Sequence, residues 1–179
     1  MDKSELARRV QEACYLRGSF VLRSGQLADF YFDKYLFEAD PVLLRAVADL
    51  AAHLVPPDTE LLAGLELGGV PISTALSFVT GLPQVLVRKE AKAYGTAKLA
   101  EGPDIAGRRL LVVEDVVTTG GQVAMSTEDL RARGAVVETA LCVINRRQDA
   151  TSVPDKLSEA GLSLISLFGL QDLMGSEKA

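Results

Sequence analysis

The stretch Leu110-Leu-Val-Val-Glu-Asp-Val-Val-Thr-Thr-Gly-Gly121 decides the fold. Its four leading apolar residues, two of them β-branched, predict a buried strand that ends at adjacent carboxylates, Glu114 and Asp115. Val116 and Val117 lead into Thr118, Thr119, Gly120 and Gly121, and a helix is expected from Gln122 to about Arg133. Such a strand, acid pair, hydroxyl-and-glycine turn and helix suit a ribose 5-phosphate. The acids can accept hydrogen bonds from vicinal hydroxyls, while the loop and helix N-terminus offer free N–H groups and a positive dipole end to the phosphate. The plainer alternative is a Gly-Gly turn with solvated acids. There is no Gly-Lys-Ser/Thr of a Walker loop here, and no Gly-x-Gly-x-x-Gly after a strand.

Working outward, helix and strand patterns alternate, which predicts an α/β fold with a mainly parallel, Rossmann-like sheet in a single domain, 1–179. An amphipathic helix is expected from Ser4 to Arg17, with Leu6, Val10, Ala13, Cys14 and Arg17 on one face. Strand-like pieces, Ser19–Leu22 and Phe30–Phe32, flank a turn at Ser24-Gly25. Asp40-Pro41 reads as N-cap and first helical residue of a helix running to about Val55. A strand at Leu61–Ala63, a glycine-rich loop from Gly64 to Gly69 and a helix from Pro71 to about Val79 follow. Further strands are expected at Gln84–Val87, Val136–Ile144 and Leu162–Leu167. Between Arg88 and Gly107 no period is sustained, which predicts a long loop of the kind that serves as a lid.

A chain of 179 residues with 48% hydrophobic and 24% charged content is that of an ordinary globular protein with a full core. The net charge of −5 argues against a general nucleic-acid partner. Cys14 and Cys142 lie far apart without a CxxC, so neither a zinc site nor a disulfide framework is expected. The N-terminus lacks the apolar core of a signal peptide and no run reaches membrane-spanning length, so a cytoplasmic location and no membrane partner are expected. His53, the only histidine, lies away from every motif and is read as structural.

Within the long loop, Arg88-Lys-Glu-Ala-Lys-Ala-Tyr-Gly-Thr96 puts three cations, Arg88, Lys89 and Lys92, into five residues of an acidic protein. A solvated charge run is one reading. The other follows from position: the segment begins at a strand end, where open α/β sheets bind ligands, and these cations could clamp a pyrophosphate leaving group.

The acid pair followed by Thr-Thr-Gly-Gly resembles the phosphoribosyl-diphosphate (PRPP) signature of type I phosphoribosyltransferases. Arg-Lys-x-x-Lys before an aromatic-Gly resembles the catalytic loop of the orotate phosphoribosyltransferase family. Phe20-Val-Leu-Arg-Ser-Gly25 with Phe30-Tyr-Phe32 resembles its N-terminal hood, Gly64-Leu-Glu-Leu-Gly-Gly-Val-Pro71 its pyrophosphate loop, and Ile144-Asn-Arg146 the segment whose arginine faces the orotate carboxylate. These matches run in family order from about residue 15 to 150.

The resemblance implies transfer of the phosphoribosyl group from PRPP to orotate, with Mg²⁺ held mainly by PRPP and water rather than by a protein cage. It implies a homodimer whose lid loop, about 88–107, is shared across subunits, and a hood mainly within 1–35. It assigns Lys92, Arg88, Glu114 and Asp115 to catalysis. PRPP contacts are implied for Arg23, Arg88, Lys89, Lys92, Tyr94, Glu114 and Asp115, and for the run Val116, Val117, Thr118, Thr119, Gly120, Gly121 and Gln122. Thr118, Arg146, Tyr31 and Phe32 would meet orotate, and Glu66, Leu67, Gly68 and Gly69 would form the pyrophosphate loop.

Five positions depart from the family pattern. Tyr94 stands where many bacterial members carry His, and with an unperturbed pKa of about 10 it is a weak proton donor. Leu67-Gly68 replaces an aromatic-Lys pair, Arg23 stands for a common Lys, and Glu114 for a common Asp. The alternatives are a purine phosphoribosyltransferase, which would lack the carboxylate-binding arginine, and a non-catalytic nucleotide-binding regulator of the same fold.

Overall fold

The computed structural model describes residues 1–21, 25–90, 99–147 and 155–174. Helix α1 (Lys3–Cys14) opens on Asp2, whose carboxylate accepts from the Glu5 N–H at 2.9 Å, and it buries Leu6, Ala7, Val10 and Cys14. The helix stops at Cys14 rather than Arg17. Tyr15–Arg17 instead begin strand β1 (Tyr15–Val21), where pairing with Phe32–Phe30 of β2 (Leu27–Phe32) outcompetes helix propensity. The antiparallel β1–β2 hairpin stands apart from the main sheet.

A short helix, α2 (Tyr35–Ala39), leads into α3 (Pro41–Ala51). Asp40 caps α3 by accepting from the N–H groups of Val42 and Leu43, and Pro41 takes the first turn as expected. A 3₁₀ turn (Ala52–Leu54) carrying His53 ends this segment. The remaining elements alternate: β3 (Leu61–Leu65), α4 (Gly69–Thr80), β4 (Gln84–Val87), β5 (Ala100–Glu101), β6 (Arg109–Val117), α5 (Gly121–Arg131), β7 (Val136–Asn145), α6 (Lys156–Glu159), β8 (Ser163–Gly169) and α7 (Leu170–Met174). The expected loop 88–107 therefore contains a short strand, β5, which pairs antiparallel with β4. Strand β6 also runs past the acids, so Glu114 and Asp115 lie inside it rather than at its end. Continued pairing of Val116 with Ile144 and of Val117 with Asn145 holds them there.

The main sheet has the order β5-β4-β3-β6-β7-β8, parallel except for β5. From β3 the chain first adds a strand on one side and then returns to add β6 on the other. The order thus reverses between β3 and β6, and a crevice opens beyond their carboxyl ends at such a switch point. Two apolar clusters cover the two faces. One joins α1, α3 and α4 to Leu111, Val113, Leu141 and Val143, and the other joins α5 to Val112, Ala140 and Cys142. Strand β3 is buried throughout, as expected for the centre of a sheet covered on both sides.

The start of α4 sits directly against β6. A Cβ on Gly69 would stand 2.1 Å from the Val113 carbonyl oxygen, a backbone atom that cannot turn aside. Gly69→Ala should therefore force the helix off the sheet and cost about 1–3 kcal/mol of stability. Urea unfolding would measure it, and an unchanged midpoint would mean that the two backbones are not so closely apposed.

Candidate active site

The crevice at the switch point is built from the segments that follow β3, β4, β6 and β7. Its floor is the acid pair. Asp115 is fully buried and Glu114 9% exposed. The Asp115 N–H donates to Glu114 Oε1 at 3.0 Å, and the Val116 N–H donates to Asp115 Oδ1 at 2.5 Å. Gly68, at the end of the β3 loop, leaves the room that Asp115 occupies, since a Cβ there would fall 1.7 Å from Oδ2. Glu66 and Leu67 are exposed at the mouth, joined by a cis peptide bond. The Glu66 carboxylate accepts from the Lys89 N–H at 3.4 Å, tying the β3 loop to the segment after β4.

Two residues absent from the sequence reading complete this floor. Lys34 Nζ lies 2.5 Å from Asp115 Oδ2, and Glu38 stands within hydrogen-bonding reach of Asp115. Glu38 is 8% exposed and its Oε1 has no hydrogen-bond partner. The only signal available was their spacing of four across a helix too short to show a period.

Charge is shared unequally here. Burial pushes the Glu114 carboxyl up to about 9, aided by the neighbouring Asp115 anion. Burial, with the same neighbour, pushes Glu38 up to about 8. Burial works against ionisation of Asp115 too, but hydrogen bonds with Glu114 and Lys34 outweigh it and hold this carboxyl below its usual range. Lys34 is raised in turn, its burial more than offset by Asp115. Asp115 is thus the anion of the group at neutral pH.

Beyond the acids, Val117 buries its side chain in the core and Val116 is partly buried, so these two face a ligand only through backbone. Thr118 and Thr119 are exposed. Gly120 turns the chain into α5 with φ of 74°, a conformation that favours glycine, and no side chain caps the helix. Its first N–H groups, from Gly121 and Gln122 onward, therefore point outward without intrahelical partners. Leu157 of α6 packs beneath this turn, where a Cβ on Gly120 would meet its Cγ at 2.7 Å.

On the next strand, the exposed Arg146 follows β7 and its N–H donates to the Val117 carbonyl at 2.8 Å, which sets it beside the acid-bearing strand. Its guanidinium lies 6.0 Å from the centre of the Phe32 ring. Tyr31 does not join them. Adjacent strand residues face opposite ways, and the Tyr31 ring lies 5.7 Å from that of Phe20 instead. Arg147, next in the chain, pairs with Asp155 at 2.9 Å. Arg88 Nε lies 3.5 Å from Glu101 on β5, while Lys89 is exposed. Arg23, Lys92 and Tyr94 lie outside the described residues. Among the described residues no three His, Cys, Asp or Glu side chains could hold a metal ion. The crevice carboxylates fit a cation that brings most of its oxygen ligands with it.

Comparison with known proteins gives the family. The model of the phosphoribosyl transferase domain matches residues 37–169. The orotate phosphoribosyltransferase of a Nocardioides species is 59% identical over 174 residues, 97% of this chain and 96% of that protein. The chain belongs to the orotate phosphoribosyltransferase family. Its fold matches the crystal structure of the Mycobacterium tuberculosis orotate phosphoribosyltransferase in complex with Fe(III) dicitrate, with a TM-score of 0.84 and 33% identity over 97% of this chain and 99% of that one. The complex of the M. tuberculosis enzyme with PRPP matches with a TM-score of 0.79 and 30% identity, again over 97% and 99%.

The raised carboxyls make stability depend on pH. Glu38 and Glu114 have folded values, about 8 and about 9, above the ordinary 4.5, so their contribution is fully present below about 4.5 and lost as pH rises through 8 to 9. Asp115, lowered, acts in the opposite sense and loses its contribution only as pH falls through its folded value, below the ordinary 3.8. The melting temperature of the ligand-free protein should decline from pH 5 to pH 9, and less steeply in Glu38→Gln. A flat profile in the parent protein would show that these carboxyls ionise normally.

Proposed function

We propose that Glu114 and Asp115 hold the ribose hydroxyls of PRPP in a protein that transfers the 5-phosphoribosyl group to orotate, giving orotidine 5′-monophosphate and pyrophosphate in pyrimidine biosynthesis. One observation carries the site assignment: an acid pair at the topological switch point, with an uncapped helix N-terminus on one side and a strand-end arginine on the other. The turn from Thr118 to Gly121 and the first N–H groups of α5 take the 5′-phosphate. Arg146 takes the orotate carboxylate in a two-point contact, and Phe32 lies under its guanidinium as an apolar surface for the pyrimidine. Thr118 bonds the base.

Bond breaking at the anomeric carbon leaves positive charge on the sugar and negative charge on pyrophosphate. The anionic floor favours the first. The second falls to Arg88, Lys89 and Lys92, with backbone N–H groups of the Glu66–Gly69 loop. Mg²⁺ brought in with PRPP would be held beside Glu114 and would add neutralising charge on the leaving group. A purine base lacks the carboxylate that makes Arg146 useful, which favours orotate. The protein works in the cytoplasm as a homodimer in which the loop 88–107 of each subunit closes over its neighbour's site and excludes water.

Arg146→Ala should raise the KM for orotate at least tenfold while changing that for PRPP little, because a charge-assisted pair of about 1.5–3 kcal/mol is lost. Steady-state kinetics with each substrate varied separates the two constants. An unchanged orotate KM would remove Arg146 from the site.

The shared loop has its own test. Lys92→Ala and Asp115→Asn homodimers should each be nearly inactive. When the two are mixed and allowed to exchange subunits, each heterodimer regains one intact site, and its activity should approach half that of the parent dimer. No recovery, with exchange verified by native mass spectrometry, would assign Lys92 to its own subunit.

A further inference from the structure

Asp115 has no solvent contact, so protein partners alone set its orientation. An ionised carboxylate offers about four acceptor positions. The Val116 N–H takes one on Oδ1, while Oδ2 accepts no hydrogen bond among the described residues and is ion-paired with the Lys34 ammonium. Glu38, one helical turn beyond Lys34, also reaches Asp115, and it is buried with a carboxylate oxygen otherwise unpartnered. Gly68 lies against Oδ2 at a distance that excludes any side chain there, which leaves one acceptor position for a ligand hydroxyl. Two acids at this spacing cannot both be ionised without strong repulsion, so one proton between Glu38 and Asp115 is what makes the contact favourable. Lys34 settles where it resides, since its ammonium is paired with Asp115, which leaves the proton on Glu38. The stem of Lys34 is itself steadied, with the ammonium 5.2 Å from the centre of the Tyr35 ring.

We infer that Lys34 and Glu38 are positioning residues of the ribose site: from α2 and the residue before it they grip Asp115 and fix the carboxylate on which a vicinal hydroxyl of PRPP must register. Lys34 does so as the counter-ion and Glu38 as the neutral acid that donates to it. This rests on the reading of Glu114 and Asp115 as the ribose-binding pair. The titratable and charged groups around this cluster are Asp115 and Glu114 on β6, Asp33 and Tyr35 beside Lys34, and Cys14 on α1. Glu38 is the first of the raised carboxyls to ionise against Asp115, near pH 8, ahead of Glu114 near 9.

The test uses the full-length protein, with PRPP and orotate varied separately. Lys34→Met, which keeps an aliphatic stem over Tyr35, should raise the KM for PRPP about tenfold or more and move that for orotate less than about threefold, and Lys34→Arg should restore most of the loss. Glu38→Gln donates to Asp115 at every pH. Its kcat/KM for PRPP should lack the fall that the parent shows as pH rises through about 8. A merely structural role would lower melting temperature and both KM values together without moving the pH profile. A PRPP KM within twofold of the parent in Lys34→Met, or coincident pH profiles for Glu38→Gln and parent, would overturn the inference. Should Lys34→Met fail to fold, the Glu38→Gln profile decides alone. Asp115→Asn assayed alongside keeps the two readings apart. If it is fully active the ribose assignment fails, whereas if it is inactive while Lys34→Met behaves as the parent, only the positioning role fails.

Discussion

The close approach of the loop after β3 to strand β6 is the constraint on which the rest depends. Gly69 lies on the Val113 carbonyl and Gly68 on the Asp115 carboxylate, so neither position admits even a methyl group. That contact brings the N-terminus of α4 onto the sheet, seats the Glu66–Gly69 loop beside the acid pair and closes one side of Asp115. Without it the switch-point crevice would still exist as topology, but the acids would be solvated and would titrate as ordinary surface carboxylates. Burial is what raises Glu38 and Glu114 and makes the Lys34 counter-ion necessary.

Most of this architecture was legible in the chain because strong local signals agreed with the final packing. The Asp40-Pro41 cap, the strand Gln84–Val87 and the αβ unit from Leu110 to the helix after Gly121 each carry a period and a punctuation mark that tertiary contacts reinforce. Where local and long-range terms conflict, the sequence misleads. Tyr15–Arg17 continue the amphipathic spacing of α1, yet their partners in β2 pull them into a hairpin. Ala100–Glu101 have no strand signal of their own and exist as β5 only because β4 offers a free edge.

The site divides in the same way. Motif residues such as Glu114, Asp115 and Arg146 converge on one crevice because a parallel sheet gathers its strand ends there. Lys34 and Glu38 belong to no motif and lie before and on a five-residue helix, and only three-dimensional proximity discloses them. Tyr31 shows the converse. A pair of adjacent aromatics looks like a wall on paper, but strand alternation sends one to each face, and Phe32 alone meets Arg146.

The pair between Arg147 and Asp155 has a mechanical consequence. Asp155 caps α6, α6 supplies Leu157, and Leu157 props the turn at Gly120. Arg146 sits one residue from the start of that chain of contacts and the turn at Gly120 sits at its end. The two ends are thus joined through a short chain of contacts, which ties the separation between them to the packing of α6. On the roles proposed for Arg146 and for the turn at Gly120, that separation would set the span of nucleotide that fits, so the packing of α6 and not only the chemistry of either end would bear on what is bound.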